Sequence, residues 1–80
     1  MKTRNDIITK ISFLFIFGGI KELKLRNIVT ILDEHTKETH RVTSIKYDGI
    51  DILVVCDDSQ EYNLNDLDYL ELMFIAYQIL

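Results

Sequence analysis

Apolar residues fall in two distinct rhythms along the chain, and the change from one to the other marks its elements. Between Asn5 and Phe17, the residues Ile7, Ile8, Ile11, Leu14 and Phe15 recur with the spacing of one helical face. This spacing predicts a helix over about residues 5–17. Asn5 is the expected N-cap, Asp6 is favourable in the first turn, and Gly18-Gly19 provide a stop. Phe13, Phe15 and Phe17 also alternate with Leu14 and Ile16, as a strand would. The length of the run and the glycine pair decide for a helix.

From Leu23 the period shortens to two. Leu23 and Leu25 alternate with Lys24 and Arg26, predicting a strand from about Lys24 to Leu32. Residues 33–39 are polar throughout and form a loop or hairpin tip. A second strand, about His40 to Tyr47, alternates Thr43, Ile45 and Tyr47 against Ser44 and Lys46. Asp48-Gly49 then predicts a two-residue type I′ turn, because both central positions of that turn need positive φ. The third strand, Ile50 to Asp57, has apolar residues on both faces and is expected to be central or covered. A turn at residues 58–60 leads to a short fourth strand, residues 61–64.

The final segment is helical again. Asn65 is the expected cap, with Asp66 and Asp68 in the first turn and Asp68 at the capping-box position. The helix is expected to run from Asp66 nearly to Leu80. After Glu71 its one clearly polar side chain is Gln78, so it needs apolar cover on more than one side.

These elements define an α+β fold within one domain, residues 1–80: an N-terminal helix, an antiparallel meander of three or four strands, and a C-terminal helix on the sheet. An SH3-like, partly open barrel flanked by helices is a variant compatible with the short sequential strands.

Composition supports a folded chain, with 48% hydrophobic and 28% charged residues and no proline among its 80 residues. The apolar run from Ile11 to Ile20 is about half the length that spans a bilayer, and Lys21-Glu22-Leu23-Lys24 follows it where a signal peptide would have a cleavage site. A lone cysteine, Cys56, forms no intrachain disulfide. A cytoplasmic location is therefore expected, with no membrane span. Charge is unevenly divided: residues 1–46 hold all nine Lys and Arg with five acids, and residues 47–80 hold eight acids and no Lys or Arg.

Candidate chemistry is sparse. Cys56 lies on the apolar face of a strand, where burial raises a thiol pKa. His35 and His40 lie in and beside the polar loop and, with one cysteine, make a poor zinc set. The acids between Asp57 and Asp68 fail the EF-hand order, since Tyr62 occupies the glycine position. Gly18-Gly19 belongs to no phosphate-binding pattern, and the basic residues, Lys2 and Arg4 onward, form no stripe for nucleic acid. No enzyme, cofactor, metal or direct nucleic-acid role is expected.

The expected function is that of a small intracellular protein-interaction module. Asp48, Asp51, Asp57, Asp58, Glu61, Asp66 and Asp68 are the candidates for an acidic face that meets a basic partner, as an inhibitor or nucleic-acid mimic would. Phe13, Phe15, Phe17, Leu72, Phe74, Ile75, Ile79 and Leu80 are the candidate homodimer interface, because the chain carries more apolar surface than 80 residues readily bury. Two alternatives are kept. One is a nucleotide or metabolite binder with a site at a homodimer interface, using Lys24, Arg26, His40 and Arg41 toward an anion. The other is a membrane-surface protein held by its first helix.

Overall fold

Both helix starts are set by reciprocal hydrogen bonds between the cap residue and an acid three residues on. The computed structural model describes residues 3–80; Lys2 lies outside them. Helix α1 spans Arg4–Ile16 and is capped by Thr3 rather than Asn5. The Thr3 Oγ1 accepts from the Asp6 N–H at 3.2 Å, and the Asp6 carboxylate accepts from the Thr3 N–H at 2.9 Å. Asn5 cannot close such a box, because the residue three positions on is Ile8. At the other end, Gly19 at φ 70° reverses the chain into the sheet.

The sheet is an antiparallel meander in the order β1-β2-β3-β4, with β1 Glu22–Asp33, β2 Glu38–Tyr47, β3 Ile52–Cys56 and β4 Glu61–Asn63. The sheet is open, with β1 and β4 as its two edges. Register interruptions between Lys24 and Val29 in β1, and between Val42 and Ser44 in β2, bend it around the core. Tyr62 on β4 donates its hydroxyl proton to the Asp33 carboxylate at the end of β1, at 3.0 Å, linking the edges by side chains.

The β2–β3 connection differs from the expected two-residue turn. Tyr47 pairs with Ile52, leaving four residues in the loop, and Gly49 has positive φ (97°) while Asp48 does not. The Asp48 Oδ1 accepts from the N–H groups of Ile50 and Asp51 at 2.8 and 2.7 Å, so a side chain organises the turn. This is why β3 begins at Ile52 rather than Ile50.

After a 3-10 turn, Leu64–Asp66, the chain extends through Leu67 before α2, Tyr69–Ile79. Leu67 is buried in the core, which holds the backbone out of helix there. Asp68 is therefore the N-cap, closing a box with Glu71 (2.8 and 3.0 Å), and Asn65 instead lies within the 3-10 turn.

Core residues come from both helices and the inner sheet face: Ile7, Ile11 and Phe15 of α1, Leu72 and Ile75 of α2, and Val29, Ile31, Val42, Ile45 and Val54 of the strands. Arg4 ties α1 to the chain before α2, its Nε donating to the Leu67 carbonyl at 2.7 Å and its guanidinium also reaching the Asn65 carbonyl.

Helix α2 lies along the free edge of β1. Glu71 accepts from the Leu32 N–H at 3.1 Å. Two turns on, the Gln78 amide both accepts from the Asn27 N–H and donates to the Asn27 carbonyl, each at 3.1 Å. Gln78 thus takes the place of a neighbouring strand, and the helix covers an edge that would otherwise invite pairing.

Candidate interaction surface

Gln78 stands seven positions on from Glu71, which places both on the stripe of α2 that meets β1 and fixes the helix in rotation. Leu72 and Ile75 consequently point into the core and are fully buried, as is Phe15 of α1. These three are removed from the expected homodimer interface: the helices need them as their inward stripes. Ile79 is half-buried against the core. Phe13, Phe17, Phe74 and Leu80 are exposed, and the Phe13 and Phe17 rings stack at 4.5 Å on the surface of α1.

The side of α2 away from the core is apolar as well. Leu70, Met73, Phe74, Tyr77 and Leu80 are exposed along it, with Tyr69 at its start. Leu70, Met73 and Tyr77 were legible as a second stripe, since they stand at i, i+3 and i+7 and lie out of phase with Leu72, Ile75 and Ile79. A groove of about 380 Å³ runs between α1 and α2, bounded by Ile7 and Lys10 on one side and Met73, Tyr77 and Leu80 on the other. A second hollow, about 240 Å³, sits on α2 itself among Leu70, Met73, Phe74 and Tyr77.

The acidic residues are divided among several places. Asp48 and Asp51 occupy the loop before β3, and Asp57 and Asp58 the turn after it, at opposite ends of a five-residue strand about 17 Å long. They therefore do not form a single cluster. Glu61 is paired with Lys46, Asp68 is held in its cap, and Asp66 lines a cleft of about 320 Å³ with Asp33, Glu34, His35, Tyr62 and Glu71. The carboxyl of Asp33 is lowered by the His35 N–H, by the Tyr62 hydroxyl and by the Thr36 N–H. Glu71 is likewise engaged by backbone N–H groups at its two oxygens. Among the described residues, no group of three or more His, Cys, Asp or Glu side chains is placed to hold a metal ion.

His40 is buried, not a solvated loop residue. Its register opposite Ile31 turns it to the inner face, where Nδ1 bonds the Asp58 carboxylate, Nε2 lies 3.9 Å from Glu38, and the Tyr62 ring centre is 5.6 Å away. Two carboxylate neighbours oppose an anion, so His40 leaves the expected anion site. Lys24, Arg26 and Arg41 are exposed, Lys24 opposite Ser44 and Arg41 opposite Thr30. Cys56 is buried, and burial followed by the charges of Asp58 and Asp57 pushes its thiol up to about 11. It is held as a neutral thiol at ordinary pH.

No helix among the described residues is long and apolar enough to cross a membrane. The chain matches no protein-family model, no curated protein and no solved structure.

Proposed function

We propose that this protein is a small non-enzymatic, intracellular interaction module that self-associates through the outer side of its helices and keeps its acidic turns for a basic protein partner. The observation that supports this is the two-sided apolar character of α2. Its inner stripe fills the core, and its outer stripe, Leu70 to Leu80, faces solvent with no charged side chain after Glu71. Such a face is characteristic of an interaction site. The sheet offers no comparable docking edge, because α2 covers β1 and β4 is three residues long.

Size-exclusion chromatography with light scattering tests self-association. The expected species at micromolar concentration is larger than 9.4 kDa, and a stable monomer refutes it. The acidic part has its own test. Reversing charge at Asp51 and Asp57 abolishes capture of a basic partner and leaves self-association intact; unchanged capture removes the acidic turns from the reading.

The small-ligand alternative places a nucleotide or metabolite at a homodimer interface, beside the exposed Lys24, Arg26 and Arg41. A thermal-shift panel of nucleotides separates the two functions.

A further inference from the structure

We infer that the occupant of the outer α2 face is the same face of a second copy, packed antiparallel about a twofold axis near Met73 and Phe74. The inference rests on the self-association proposed above and specifies its geometry.

Area is the first argument for a second copy. Tyr69, Phe74 and Tyr77 of α2 are 39%, 61% and 92% exposed. With full aromatic side chains near 200 Å², these rings leave roughly 380 Å² of apolar surface. Leu70, Met73 and Leu80, also exposed on α2, bring the face to about 600 Å² per partner, the lower end of specific interfaces. A lipid surface would be favoured by a basic rim, but α2 is capped by Asp68, carries Glu71 in its first turn and has no basic residue in its last turn.

Charge selects the orientation. A parallel pair would bring two acidic helix starts side by side, with like charges opposed and the macrodipoles aligned. In an antiparallel pair the acidic start of each α2 meets the uncharged end of the other, and the dipoles oppose. Leu70 of each copy then packs against Tyr77 of the other, and Met73 against Phe74.

Charge complementation tests this pairing. Leu70→Lys and Tyr77→Glu each place an unmatched charge in the interface and are expected to weaken self-association about a hundredfold. Mixing the two variants restores the dimer, because an antiparallel heterodimer sets the introduced lysine against the introduced glutamate on one side and leaves Leu70 against Tyr77 on the other. Met73→Lys with Phe74→Glu provides a second pair should one variant misfold, which circular dichroism reports. If wild type associates but neither mixture recovers, the antiparallel geometry is refuted while self-association survives. If wild type stays monomeric, both ideas fail, and flotation on anionic vesicles then reports whether the face takes lipid.

Discussion

Replacing Gln78 by Ala removes the one side chain that closes the middle of the β1 edge. Its amide makes two hydrogen bonds to the Asn27 backbone, each 3.1 Å long. A hydrogen bond of this kind contributes about 0.5–1.5 kcal/mol net, so losing both costs about 1–3 kcal/mol. Alanine is the better helix former and returns a few tenths of that. A net loss near 1–2 kcal/mol corresponds to a Tm lowered by roughly 4–16 °C in a chain of this size. Thermal unfolding by circular dichroism reads the global term, and native-state hydrogen exchange at the Asn27 N–H reads the local one. Gln78→Glu is the informative comparison, since it keeps an acceptor for the Asn27 N–H but turns a second acceptor toward the Asn27 carbonyl. It should protect the Asn27 amide more than Ala does while remaining less stable than wild type. A Gln78→Ala variant with unchanged Tm and unchanged Asn27 exchange would show that the edge is held by packing alone.

Three further outcomes follow from the core and from its titrating groups. Ile75→Ala, at a fully buried position, is expected to cost about 2–5 kcal/mol in urea unfolding, whereas Phe74→Ala, one residue away but exposed, shifts the monomer by less than about 0.5 kcal/mol. In acid, the carboxyls of Asp6, Asp33 and Asp48 are held low, chiefly by the N–H groups of Thr3, His35 and Asp51. Their stabilisation is complete above the unfolded carboxyl range and is lost as pH falls through the lower folded values, so urea midpoints should drop below about pH 4 and Asp48→Ala should flatten part of that drop. In alkali the sign reverses: Cys56 is raised from 9.0 to about 11 and Tyr62 from 10.0 to about 12, each mainly by burial. The folded chain keeps those protons where the unfolded chain releases them, so stability declines from about pH 9 upward, and Cys56→Ala should make the first part of that decline shallower.

Much of the architecture was legible because periodicity and burial agree. Ile7, Ile11 and Phe15 repeat at helical spacing and are the buried stripe of α1, and the apolar alternation of β3 ends in Val54 and Cys56, both buried in the core. Element starts were less legible. At Thr3 the deciding partner is an acid three residues on, which Asn5 lacks; Asn65 has one as well, and the burial of Leu67 is what moves the α2 cap to Asp68. The interface residues divide for a different reason. In α2, Leu72 and Phe74 look alike as letters, and only the rotation imposed by Glu71 and Gln78 on the β1 edge sends one inward and the other outward. His40 was misplaced because a strand register, rather than composition, brings it opposite Ile31 and within reach of Asp58.

Because α2 shields the β1 edge with one side and presents its apolar stripe with the other, the two roles are thermodynamically linked. Any partner that binds only the docked helix makes its detachment harder by RT ln(1 + [L]/Kd), where [L] is the free concentration of that partner. Detachment is the local opening that uncovers Asn27 and Leu32. For a partner that is another copy, the protein's own concentration becomes the protective variable. Dilution then favours the open form that has a bare strand edge, whereas crowding of like molecules closes it. Self-association through α2 would in this way act as a guard against strand-to-strand aggregation, the opposite of what an exposed apolar helix is usually taken to threaten.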